Sequence, residues 1–141
     1  MTHIFSAEIK ADGKQFLITF PDVPEAITGA DTMEETKQEA LDALVTALGE
    51  YARSGKAMPK ASPTKQGQVG IRIPALMIAK LDLMAAMKKQ DISGAQLARR
   101  LKTTDTTVRR ILDFNHRSHI DQVEDALSAI GHVLEISTRA A

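Results

Sequence analysis

Residues 104–110 read Thr104-Asp105-Thr106-Thr107-Val108-Arg109-Arg110, and several of these side chains are of the types that read base-pair edges. A guanidinium pairs bidentately with guanine, a threonine meets a thymine methyl or hydrogen-bonds a base, and an aspartate accepts from cytosine. On a helix, Val108, Ile111 and Leu112 take the inward face, leaving Asp105, Thr106, Arg109 and Arg110 outward. Further on, Asn115-His116-Arg117-Ser118 is a polar connector in which His116 and Arg117 suit phosphate. Ser93 and Thr104, placed to head two short helices, complete the candidate DNA-binding set.

Other chemistries find less support. Metal-dependent phosphodiester cleavage needs several carboxylates converging on a cation. Asp12 falls in an expected hairpin turn, Asp22 and Glu25 in a proline-rich loop, and Glu34, Glu35 and Glu39 in early helix turns, where they oppose the helix dipole. No carboxylate stands mid-strand on an apolar face, so the chain is not expected to be an enzyme or to hold a metal or cofactor. His116 and His119 are three apart, with no cysteine or carboxylate cluster to complete a zinc site. Met77, Met84 and Met87 fall at near-helical spacing and read as core.

The 141 residues leave room for one ordinary domain or two small ones. With 43% hydrophobic and 26% charged residues the balance is that of a globular protein. No run approaches the roughly 20 apolar residues of a membrane span, and the first residues lack the basic and apolar regions of an export signal. There is no cysteine, which removes disulfides and thiolate chemistry; a cytoplasmic location is expected. One tyrosine, four phenylalanines and no tryptophan leave little for an aromatic cage or base-stacking platform.

The net charge of zero hides an asymmetry. Residues 1–68 carry seven Lys and Arg against ten Asp and Glu, whereas residues 88–117 carry eight against three. An acidic half suits a basic partner, and a basic segment suits an anionic one.

The elements that must position these residues differ in period between the halves. Phe5, Ala7 and Ile9 alternate with Ser6, Glu8 and Lys10, predicting a strand over 4–10; Asp12-Gly13 marks a tight hairpin. Residues 15–20 return with Phe16, Ile18 and Phe20 on one face, and Ala26-Ile27-Thr28 is a short third strand closed by Gly29. Thr32 and Glu35 form an expected capping box before a helix carrying Leu41, Leu44, Leu48 and Tyr51, which Gly55 ends. Residues 55–67, with two prolines and no carboxylate, read as a loop or linker, and 69–73 as a fourth strand. Strand, strand, strand, helix, strand implies an antiparallel sheet covered by one helix, with a domain boundary near Pro74.

Pro74 opens a largely buried helix over 75–89. Ser93 and Gln96 make a second capping box, with Ile92 and Leu97 at the positions of a hydrophobic staple. A helix over 94–101, a three-residue turn and a helix capped by Thr104 describe a helix-turn-helix, with small Ala98 allowing a close crossing. Lys102 stands where the turn needs positive φ, at a cost on the order of 1 kcal/mol. A further helix over 120–130 ends at Gly131. The alternating tail 132–136 predicts a strand pairing with its twin across a dimer axis, in a homodimer or higher homo-oligomer.

This order of parts, with Phe20-Pro21-Asp22-Val23-Pro24-Glu25-Ala26, Arg72-Ile73-Pro74 and Leu97-Ala98-Arg99-Arg100-Leu101, resembles a HicB-type antitoxin of the helix-turn-helix branch. The stretch from His116 to Asp121 is also similar to that branch. The resemblance covers nearly the whole chain. It implies an α+β protein in which residues 1–73 form a degenerate, non-catalytic RNase H-like module and residues 74–141 a DNA-binding and dimerisation domain. It also implies neutralisation of a HicA-type toxin, a small basic mRNA endonuclease, and repression of the shared operon through operator DNA. Asp22 and Glu25, in a rigid acidic loop, are the candidate toxin contacts. The alternative is a free-standing helix-turn-helix regulator whose first domain senses a ligand or a protein.

Overall fold

The computed structural model describes residues 3–141. The elements are β1 (Ile4–Asp12), β2 (Gln15–Thr19), β3 (Ile27–Ala30), α1 (Thr36–Ser54), β4 (Val69–Arg72), α2 (Ala75–Gln90), α3 (Gly94–Leu101), α4 (Asp105–Ile111) and α5 (Ile120–Ala129). The expected α+β class holds. The chain divides into two compact units between Ile78 and Ala79, inside α2.

In the first unit the strands form one antiparallel sheet in the order β3-β2-β1-β4. Register pairs Phe5 with Ile71 and Ile9 with Ile18, so the alternating apolar residues share one face. Phe5, Ala7, Ile18 and Ile71 are buried there, as are Ala40, Leu44 and Leu48 of α1, which packs on β2, β3 and β4. Each such side chain contributes about 1.5–3 kcal/mol when fully buried, so sheet and helix stabilise one another. On the opposite face Thr64 accepts a 2.9 Å hydrogen bond from the buried Ser6 hydroxyl.

Local details shift from the sequence reading. β1 runs on to Asp12, which pairs with Gln15, so the hairpin turns on Gly13-Lys14, with Gly13 at φ 62°. A two-residue loop with glycine first matches the right-handed twist of the flanking strands. The third strand begins at Ile27 and takes in Gly29. Thr32 Oγ1 does accept from Glu35 N–H, but the Glu35 carboxylate reaches Asp31 N–H and the helix starts only at Thr36. The reciprocal pair therefore closes a turn just ahead of the helix. Gly55 ends α1 at φ 74°, donating to the carbonyl of Ala52.

In the second unit α3 packs on α4 and α5, with Leu97, Ala98, Val108, Ile111, Val123 and Leu127 buried. Three helices there end in the same way. Asp91, Lys102 and Gly131 take positive φ, and the following residue donates back five positions, from Ile92 to Met87, Thr103 to Ala98 and His132 to Leu127. This left-handed closure satisfies carbonyls that the helix leaves unpaired. The strand expected over 132–136 is absent: residues 132–141 carry no regular secondary structure. A lone strand has no ladder to complete within the chain.

Lys102, at φ 55° and ψ 46°, occupies a conformation that glycine adopts without steric cost. Lys102→Gly is expected to stabilise the second unit by about 0.5–1 kcal/mol, raising its melting midpoint by roughly 3–6 °C. Lys102→Ala should give no rise. Thermal unfolding followed by circular dichroism checks both, and an unchanged midpoint for the glycine variant would contradict the strain.

Candidate functional site

The candidate nucleic-acid face is built by two capped helices. Ser93 Oγ accepts from Gln96 N–H at 3.1 Å while Gln96 Oε1 accepts from Ser93 N–H at 2.8 Å, so the expected box is complete. Thr104 Oγ1 accepts from Thr107 N–H at 3.1 Å and heads α4. Both hydroxyls thus fix helix starts first. With Val108 and Ile111 turned inward, a helical period of 3.6 residues sets Thr106 at the centre of the outer face, Arg109 and Arg110 beside it and Asp105 at its flank. All four are exposed. Among the described residues, Arg109, Arg110 and Arg117 form no salt bridge. Their charge is available to an anionic surface.

The connector after α4 is held from within. Lys80 of α2 is fully buried, and its Nζ donates to the carbonyl oxygens of Arg110 (3.2 Å), Asp113 (2.5 Å) and His116 (2.8 Å) and to Ser118 Oγ (3.0 Å). Burial pushes its pKa below the ordinary lysine value, with the Asp113 charge opposing. His116 is half-buried, with Nδ1 3.0 Å from Ser118 Oγ, whereas Arg117 is exposed. The structure therefore separates the two connector candidates: Arg117 reaches solvent, and His116 is tied into the loop. Sequence reading missed Lys80. Its signal was a lysine three, four and seven residues before Leu83, Met84 and Met87, on the buried side of an apolar helix.

In the first unit both carboxylates singled out from the sequence have internal partners. Asp22 accepts from Ser62 N–H at 2.7 Å and from Ser62 Oγ at 3.0 Å, fastening the long loop. Glu25 accepts from the Tyr51 hydroxyl at 2.9 Å on each oxygen. The Glu25 carboxyl is held below the usual carboxylate range by its own backbone N–H, then by Tyr51, with slight desolvation opposing and Lys56 assisting. Tyr51 is pushed up, first by its hydrogen bond to Glu25. Lys56 Nζ lies 5.7 Å from the Tyr51 ring centroid. Glu25 also lines a groove of about 440 Å³ beside β3 with Glu39, Asp42 and Glu50 of α1. Sequence reading assigned Glu39 to the helix dipole alone and passed over Asp42 and Glu50. Four carboxylates line that groove and no cation does.

Among the described residues no group of three or more His, Cys, Asp or Glu is placed to hold a metal ion. No described helix is long and apolar enough to cross a membrane.

Residues 4–82, more than half of the chain, match the family described as the HicB_like antitoxin of bacterial toxin-antitoxin system. The chain belongs to this HicB-like family. Relatives extend the match over both units. Antitoxin HicB 2 of Photorhabdus laumondii is 36% identical over 132 residues, covering 94% of this chain and 94% of that protein. Antitoxin HicB of Pseudomonas fluorescens is 33% identical over 138 residues, 97% of this chain and 94% of that protein. Antitoxin HicB of Escherichia coli K12 is 31% identical over 121 residues, with 86% and 88% covered. The chain is thus an antitoxin of a toxin–antitoxin system, and its membership implies a toxin partner. In this HicB-like protein the family match takes in the whole sheet, α1 and the start of α2, so the acidic groove lies wholly inside it.

The Glu25–Tyr51 pair has a pH signature. A lowered carboxyl pKa gives stability that is full above its unfolded value near 4.5 and lost as pH falls through the folded value. A raised phenol pKa gives stability that is full below 10.0 and lost as pH rises through the folded value. The stability gap between wild type and Tyr51→Phe is therefore expected to be widest between those limits and to close on either side. Denaturant unfolding across pH checks this. Ultraviolet absorbance titration reports Tyr51 alone, as the chain holds one tyrosine and no tryptophan; a midpoint at or below 10.0 contradicts the pairing.

Proposed function

We propose that this HicB-like antitoxin binds and silences a HicA-type mRNA endonuclease through residues 1–73 and represses its own operon through a helix-turn-helix in residues 74–141. One observation carries the reading. A family-matched first unit with an acidic groove shares its chain with a second unit whose outer helix face holds unpaired guanidinium groups. Complementary fields speed encounter between an acidic surface and a small basic ribonuclease and disfavour wrong partners. Glu25 with its groove neighbours is the better placed toxin contact; Asp22 contributes by fixing the loop.

In the second unit α4 is the recognition helix, with Thr106, Arg109 and Arg110 toward the bases and Asp105 at the edge. Arg117 contacts phosphate. Ser93 and Thr104 add contacts only beyond their capping, and His116 only beyond its tie to Ser118. The tail supports a homodimer. Val133 and Ile136 are 83% and 69% exposed, and contact of this apolar tail with a second copy of the chain would shield them and set two half-sites. The protein acts without catalysis, in the cytoplasm.

Tagged full-length antitoxin is expected to capture from its host a small basic protein that cuts RNA alone and is silent in the complex. On its own promoter DNA, Arg109→Ala should cost about 1–3 kcal/mol and relax sequence preference. Arg117→Ala should weaken all sequences alike and lower the salt slope by about one. Unchanged affinity in both variants overturns the placement of the recognition helix.

A further inference from the structure

We infer that Lys80 is a positioning residue for DNA binding, holding the connector 113–118 in the shape that presents Arg117; this rests on the DNA-binding reading of the second unit. Its ammonium is withdrawn from solvent and cannot itself touch a phosphate. Instead the chain winds around it. Carbonyl groups three residues apart, of Arg110, Asp113 and His116, converge on one nitrogen, and Ser118 Oγ closes the set. The first of these belongs to the last turn of α4, where a cation also opposes the negative end of the helix. One buried charge thus joins the end of the recognition helix to the loop that follows.

Arg117 sits between the two residues most firmly held. His116 gives its carbonyl to Lys80, and Ser118 gives Lys80 its oxygen and bonds onward to the Arg110 carbonyl at 3.2 Å. Asn115 N–H is fixed within the loop by Asp113 Oδ1 at 2.9 Å. With Arg117 exposed and its neighbours anchored, its ordering cost is met on folding rather than on binding, which is how preorganisation raises affinity. Without the ammonium, three carbonyls would lose a buried partner and the connector its centre.

A double-mutant cycle on full-length protein tests this, using a duplex of its own promoter region over a salt series, with circular dichroism confirming the folded state. Lys80→Met is expected to weaken binding roughly tenfold and to lower the salt slope by about one, as Arg117→Ala does. The double variant should lose no more than about twofold beyond either single change, because both remove the same contact. Multiplying losses, or a Lys80→Met protein that binds like wild type, would overturn the positioning role. If Lys80→Met does not fold, Ser118→Ala removes one held oxygen and should weaken binding roughly threefold, again without adding to Arg117→Ala; additive losses overturn the role equally. Wild-type protein that binds no promoter DNA overturns the DNA-binding reading itself, and this inference with it.

Discussion

A lysine ammonium removed from water must find its hydrogen bonds inside the protein or leave an uncompensated charge costing several kcal/mol. Lys80 meets that demand with three backbone carbonyls and a serine hydroxyl rather than with a carboxylate, and its partners come from the C-terminal end of α4 and the connector after it. The apolar core of the second unit, built on Leu97, Val108, Ile111 and Val123, packs the helices against one another. What the core cannot do is shape a polar loop with no apolar stripe of its own. Directional bonds to a fixed point do that, and the shape of the connector around Arg117 depends on them.

The first unit solves a similar problem with weaker, exposed ties. Its sheet and helix close by apolar burial, while the segment between α1 and β4 lacks periodicity and is fastened by Asp22 to Ser62 and by Ser6 to Thr64. Asp22 therefore serves the fold as well as any partner. Glu25 is ordered by Tyr51 at the rim of an acidic groove, so its charge is both retained and aimed. Such rim charges govern rate and selectivity of association more than affinity. That is a fitting role in an antitoxin that must meet its toxin before the toxin acts.

Much of this architecture was legible in the sequence because its signals act over a few residues. The alternation of Phe5, Ala7 and Ile9, the Ser93–Gln96 box, the cap at Thr104, the stop at Gly55 and the positive φ at Lys102 each follow from local sterics and local hydrogen bonds. The small misses were local too. The hairpin turned one residue later, and Glu35 reached Asp31 instead of Thr32.

What only the tertiary structure decided lies at long separation. Ser62 on Asp22 spans 40 residues, Tyr51 on Glu25 spans 26, and Lys80 on its oxygens spans 30 to 38. Residue types fix which groups must be satisfied when buried; packing of distant elements fixes which partners are within reach. The sequence by itself therefore determined, among the described residues, the five helices and the four strands of the sheet, though not the irregular tail after Gly131. It also determined the acidic and basic halves and the arginines that face outward. The fold alone chose which carboxylate fastens the long loop, which one is held by Tyr51 at the groove, and which lysine turns inward to hold the connector.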